Sequence, residues 1–316
     1  MRILMFGRGA IATIYGRVLH AAGHDVEFYV RPGRAAEHGG RVRLDWVDGR
    51  RVPLGRRVRE EHEVRLRESV DARDGFDLVV LSVGHHRLAE AAAFLAPRLG
   101  SATVLVFGNV WGEPLDAVAP LPADQVVFGF PGGGGQFQED GLLLAALTRS
   151  VVVGTTGGAT SRREEDVLSV LRQAGLAPRR ERDMRGWLWL HFVADAGMLA
   201  QALDQGSLAA LVGDRQAFRR AFSTTRELLP LLRARGVDLR RHRWSTVPYR
   251  FPLLVGAATG AATAWIPIAR RALAAHTDRA LVEGRAVVDD ALGEARRLGV
   301  PAPLLEATRG ASGVPS

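Results

Sequence analysis

The segment "MRILMFGRGAIATIYG", Met1 to Gly16, decides the fold. Residues 2–6 form an apolar run of strand length, and from 10 to 22 the apolar positions recur at helical spacing. Between them Gly7, Gly9 and Ala12 stand as G-x-G-x-x-A at the junction of strand and helix. Gly7 permits a tight turn, Gly9 lets a pyrophosphate approach the backbone, and Ala12 allows the helix to pack closely on the strand. An anion is held at such a helix N-terminus, so Gly7, Gly9, Ala10, Ile11 and Ala12 are the expected dinucleotide contacts. A second strand, "DVEFYV" at 25–30, follows in the order a dinucleotide site requires.

Outward from this unit, "DLVVLSV" (77–83), "ATVLVF" (102–107) and "QVVFGF" (125–130) read as further strands, with a helical pattern at 87–97. The expectation is a parallel sheet built from βαβ units. At 41–67 the pattern predicts a β-hairpin inserted into the sheet domain, with Asp48-Gly49 as its turn. The run "PGGGGQFQEDG" (131–141) predicts a mobile loop. Beyond Val153 the pattern is helical, at 161–174, 183–205, 215–235 and 277–299. The expected fold is therefore α/β, with a nucleotide-binding sheet domain over 1–178 and an all-helical domain over 179–316. The stretch "FPLLVGAATGAATAWIPIA" (251–269) is uncharged for 19 residues and holds Gly256 and Gly260 at G-x-x-x-G spacing. Its Ala, Gly and Thr content, with Pro252 and Pro267 inside it, favours a buried helix or substrate-lining segment over a membrane span.

Composition removes whole classes of chemistry. All 42 basic residues are arginines, so no lysine acts here, and the absence of cysteine excludes disulfides, thiolate nucleophiles and cysteine-bound metals. The net charge is +8, and its arginines run along the chain with only short clusters such as Arg240, Arg241 and Arg243 and no aromatic-interleaved stripe, which speaks against nucleic acid as a partner. No histidine–carboxylate set has metal spacing, so no metal is expected. The N-terminus turns glycine-rich too early for a signal peptide, and the expected location is cytoplasmic.

The residue that ends the second strand chooses the dinucleotide. An acidic residue there binds the ribose of NAD, whereas this chain has "YVRPGR", with Arg31 and Arg34 suited to the 2′-phosphate of NADP(H). The opposing reading makes both arginines solvated loop residues, with Glu27 inside the strand available to NAD.

The opening "MRILMFGRGAIATIYGRVLHAAGHDVEFYVR" resembles the ketopantoate reductase (2-dehydropantoate 2-reductase) family, and the likeness continues in "DLVVLSV", "FGNVWG", "DMRGWLWLHFVAD" and "EARRLGVPAP". The resemblance implies a Rossmann domain followed by a helical domain. It also implies NADPH-dependent reduction of a 2-oxo acid at a cleft between them, and a possible homodimer. Laid over the family motif W-x-K-x-x-x-N, Trp189 matches the tryptophan, His191 takes the lysine position and Asp195 the asparagine position; a second asparagine falls on Leu199. The substrate-binding glutamate falls on Glu283, the serine of the family's S-M motif near Arg271, and the asparagine of its Q-N-G turn on Asn109. A lysine that usually follows the third strand is replaced at Gly84, beside Val83, His85 and His86, and Val83 and Asn109 join the expected cofactor contacts.

In "WLWLHFVAD", Trp187, His191 and Asp195 fall at i, i+4 and i+8 and share one helical face. Hydride transfer to a carbonyl leaves negative charge on oxygen, which a positioned acid must quench. The expected catalytic residues are His191 as general acid, Asp195 as its orienting group and Glu283 as substrate contact or as the group that closes the hydrogen-bond network, with Asn109, Trp187, Arg271 and His276 lining the substrate. The competing reading of His191 is a core histidine bonded to Asp195 between packing tryptophans. The function expected is NADPH-dependent reduction of a small carbonyl substrate. A non-redox cyclase or isomerase, or an NADPH-binding regulator, remains open on the same fold.

Overall fold

The structure, a computed structural model, describes residues 1–157, 161–274 and 279–311, with side chains for all of these except 279–283 and 309–311. Contacts divide the chain into two compact units, Met1–Arg185 and Gly186–Ser316.

In the first unit the elements run β1 (Arg2–Phe6), α1 (Ala10–Ala21), β2 (Asp25–Tyr29), α2 (Ala35–His38), β3 (Arg41–Gly49), β4 (Arg56–Glu63), β5 (Arg65–Arg67) and β6 (Leu78–Leu81). They continue as α3 (Leu88–Leu95), β7 (Thr103–Phe107), α4 (Pro114–Ala117), β8 (Val126–Phe130), β9 (Gly133–Phe137), β10 (Leu142–Thr148), β11 (Ser150–Gly154), α5 (Arg162–Gln173) and β12 (Ala177–Arg180). Eight strands form one sheet in the order β12-β11-β8-β7-β6-β1-β2-β5. Every pair in it is parallel except β8 with β11. The chain winds from β1 toward β5 and then returns to the other side at β6, so the β1/β6 junction is the topological switch where such sheets bind ligands. The inner strands β6 and β7 are buried along their whole length, which is why they read as unbroken hydrophobic runs.

Two sequence expectations need correction here. The 41–67 hairpin forms, but β3 and β4 belong to a separate four-stranded sheet, β4-β3-β10-β9, and only β5 joins the main one. Its turn lies beyond Gly49, because Asp48 still pairs with Arg56 on β4 and Gly49 with Thr148 on β10; where β3 ends, the Asp48 carboxylate accepts the Arg50 backbone N–H and guanidinium (2.8–3.0 Å). The positive φ of this turn belongs to Gly55, at 87°. The glycine run at 131–141 is a strand with a turn: β9 pairs antiparallel with β10. Its glycines serve close approach, since a Cβ on Gly132 would stand 1.8 Å from Ser150 O and one on Gly135 2.5 Å from Leu144 O. Tyr15 fixes the start of the run by accepting the Gly132 N–H at 3.0 Å. The main sheet also runs past residue 178, because β12 pairs with β11 over Ala177–Arg180 and the Glu181 N–H donates to Val153 O at 2.8 Å.

The second unit is helical. It contains most of α6 (Met184–Gln205), then α7 (Arg215–Ala234), α8 (Arg243–Thr246), α9 (Pro252–Trp265), α10 (Pro267–Ala274), α11 (Arg279–Arg297) and α12 (Pro303–Ala311). Asp214 caps α7 by accepting the N–H groups of Gln216 and Ala217 at 2.8 and 2.9 Å, satisfying two donors the helix leaves open. The expected buried helix over 251–269 is instead two helices, α9 and α10, bent by 92°. Its G-x-x-x-G face packs on the start of α7: a Cβ on Gly256 would meet Phe218 O at 2.7 Å, and one on Gly260 would meet Asp214 O at 2.8 Å. The opposite face is open, with Leu254 74% and Trp265 84% exposed. Among the described residues no single helix is long and apolar enough to cross a membrane.

Candidate nucleotide turn and active-site residues

Gly7 leaves β1 at φ 96°, a left-handed conformation that suits glycine, and its N–H donates to Tyr29 O at 2.9 Å, tying the turn to β2. Gly9 is the N-cap of α1 and has no side chain to cap it. Its carbonyl accepts the first intrahelical bond from Thr13 N–H (2.9 Å), so the N–H groups of Ala10, Ile11 and Ala12 lack an intrahelical acceptor. A Cβ on Gly7 or Gly9 would meet nothing within 4 Å, so the turn borders open space that a ligand backbone could approach. Ala12 is fully buried, and one turn later a Cβ on Gly16 would stand 2.4 Å from the Phe28 ring. Close helix–sheet packing therefore rests on both residues. Three buried polar atoms near this edge, Arg8 Nε, Thr13 Oγ1 and Ser82 Oγ, have no hydrogen-bond partner among the described residues. Open cradle, free N–H groups and orphaned donors together fit a bound dinucleotide phosphate.

At the end of β2, Arg31 is exposed and makes no ion pair among the described residues, whereas Arg34 pairs with Glu37 at 2.9 Å. Glu27 is committed to Arg2 at 3.2 Å and Arg67 at 3.4 Å, with only 19% of its side chain exposed. Glu68, which no motif indicated, shapes this loop by accepting the Ala35 N–H at 2.8 Å; that bond and those from Gly33 and Arg34 hold its carboxyl below the usual range. The loops after β6 and β7 lie side by side, since a Cβ on Gly108 would meet Val83 O at 3.3 Å. This brings half-buried Val83 and Asn109 to the same sheet edge as Gly7. His85 and His86 form a short 3-10 turn after β6, their rings perpendicular at 5.8 Å.

On α6 the expected face is present. The His191 ring stacks on Trp187 at 5.1 Å and 11°, and its Nε2 lies 3.4 Å from Asp195 Oδ1, each side chain about 30% exposed. Trp189 points the other way, into the core, under the Arg235 guanidinium at 3.6 Å. Tyr249 is a residue that sequence reasoning missed: burial and the Asp195 charge push its phenol up to about 12. No local motif marks it, because its proximity to Asp195 is made only by folding. Leu199, onto which the resemblance puts a second asparagine, faces α11, at 3.3 Å from a Cβ placed on Gly284. Glu283 is the residue before that contact on α11, but its side chain lies outside the described residues, as does all of His276. Arg271 is half-buried on α10.

A model of the family described as ketopantoate reductase PanE/ApbA matches residues 3–158. No curated protein sequence matches the chain. Among solved structures, 2-dehydropantoate 2-reductase from Geobacter metallireducens is similar at 19% identity over 99% of each chain, with a TM-score of 0.67. A D-mandelate dehydrogenase solved with NADH and anilino(oxo)acetate is similar at 15% identity over 99% of this chain and 97% of that one, with a TM-score of 0.69. The ketopantoate reductase of Staphylococcus aureus, described as dimeric, is similar at 12% identity over 99% of both chains, with a TM-score of 0.66. Over residues 3–158 the chain belongs to the ketopantoate reductase PanE/ApbA family, and over nearly its whole length it has the fold of those reductases.

Proposed function

We propose that the protein is a nicotinamide-dependent reductase of a 2-oxo acid or related ketone, with NADPH as its preferred cofactor. The observation that carries this reading is the His191–Asp195 pair stacked on Trp187, which the resemblance lays over the family's lysine and asparagine. When bound, NADPH supplies the hydride. His191 then gives a proton to the carbonyl oxygen, while Asp195 holds the imidazole through Nε2 and Trp187 shields one ring face. Arg271 is assigned to the substrate carboxylate, which a guanidinium grips through two parallel bonds. Glu283, Asn109 and His276 are assigned to the remaining substrate contacts. The lysine-free site favours a carbonyl other than ketopantoate. NADPH is preferred because Arg31 is available to a 2′-phosphate while Glu27 is engaged by Arg2 and Arg67. The dimeric S. aureus relative and the exposed residues Trp244, Phe251, Leu254 and Trp265 support a homodimer formed through the α9 face. Light scattering on Leu254→Arg should then report a monomer.

The test of activity is the loss of NADPH absorbance with the purified protein, using ketopantoate, other 2-oxo acids and bulkier ketones. Turnover of at least one supports the reading, and the preferred substrate defines the pocket. Tight NADPH binding without oxidation across the panel would refute a reductase.

A further inference from the structure

The helical unit contains a cleft of about 860 Å³ between one face of α7 and the segment 237–250. Arg226 and Arg233 from α7, and Arg240, Arg243 and Arg250 from the segment, line it; Asp238 is its single acidic residue. Residues 226–250 hold seven arginines against Glu227 and Asp238, five of the chain's eight net positive charges. The acids do little to balance the cleft. Glu227 accepts the N–H groups of Leu304 and Leu305 at 2.9–3.2 Å and so caps α12. Asp238 is shared between Arg240 at 3.3 Å and Arg241 at 3.9 Å. Of the other arginines, Arg235 is drawn away to Glu294 at 3.3 Å and to the Trp189 face. Arg226, Arg233 and Arg250 have no ion pair among the described residues.

Guanidiniums gathered without counter-charges repel one another, and a multiply charged anion relieves that repulsion while accepting bidentate bonds. Arg226 and Arg233 share a face two turns apart, about 10 Å along the axis, so one singly charged group cannot bridge them. The volume suits a nucleotide-sized molecule, and no row of stacking aromatics marks a nucleic-acid track. We propose that this cleft binds a small anion carrying more than one phosphate. The proposal does not depend on the reductase reading.

The test is calorimetric titration of the full-length protein with inorganic pyrophosphate at low salt. Binding is expected, weakening steeply as salt is raised. Arg226→Gln with Arg233→Gln and Arg250→Gln should lose about tenfold or more in affinity, and Asp238→Asn should gain a few-fold. Circular dichroism checks that the triple variant folds; the single Arg226→Gln, at an exposed position, gives the same test in smaller measure. Gly9→Asp, which places a carboxylate in the nucleotide turn, separates the two anion sites and should leave this binding unchanged. Absence of binding at millimolar pyrophosphate, equal affinity in the triple variant, or loss only in Gly9→Asp would overturn the proposal. So would tight binding of a DNA duplex that pyrophosphate fails to displace.

Discussion

Arg31→Ala tests how the protein would choose between NADPH and NADH. Arg31 is exposed and has no ion pair among the described residues, and its loop is braced by Glu68 through the Ala35 N–H at 2.8 Å. Charge-assisted bonds from a guanidinium to phosphate contribute about 1.5–3 kcal/mol, and solvent exposure places this one at the lower end. At 1.4 kcal/mol per decade, the substitution should weaken NADPH about 10- to 30-fold. NADH lacks the 2′-phosphate and should bind unchanged. Fluorescence titration of both dinucleotides against both proteins reads the ratio directly, and raising the salt should erode the NADPH preference of the unaltered protein. Glu27→Gln is the control, because that carboxylate already faces Arg2 and Arg67 at 3.2 and 3.4 Å and should not alter the ratio. The reasoning fails if Arg31→Ala weakens both dinucleotides equally, or if Glu27→Gln selectively weakens NADH.

His191→Ala should reduce turnover about 100-fold or more while leaving the NADPH dissociation constant unchanged; a loss of only a few-fold would return His191 to a packing role. Gly135→Val should lower the thermal midpoint, with a cost above about 2 kcal/mol, because its side chain has no room against Leu144 O and Ala145. Unchanged stability would mean that β9 does not pair closely with β10. Burial is the main cause lowering the pKa of His24, His38 and His62, joined by the N-terminal amine at His24, Arg8 and Arg34 at His38, and Arg17 at His62. Each takes up its proton more readily unfolded, so the stability they contribute is complete above pH 6.5 and is lost as pH falls through the lower folded values. Melting curves should show a falling midpoint between about pH 7 and pH 5, with a shallower fall in His62→Gln. A midpoint that rises on acidification would contradict this.

Much of the nucleotide half was legible because its rules are local. A left-handed turn suits glycine at Gly7, and strands covered on both faces appear as apolar runs wherever they occur. The i, i+4 spacing of His191 and Asp195 likewise needs only the helix to bring them together. The Asp48-Gly49 signal was misleading because both residues are still paired in the second sheet, Asp48 with Arg56 and Gly49 with Thr148, and the chain turns only after them.

By itself, the sequence determined the α/β order, the glycine turn between β1 and α1, and the helical face that carries Trp187, His191 and Asp195. Only tertiary structure decided that a glycine run is a paired strand and that Gly256 and Gly260 admit α7. It also decided that Tyr249 feels Asp195 and that Arg226, Arg233 and Arg250 share one cleft. The physical difference is range. Backbone conformation and helical periodicity act over a few residues, whereas close backbone approach, burial of a phenol and summed charge depend on groups that only the folded chain brings together.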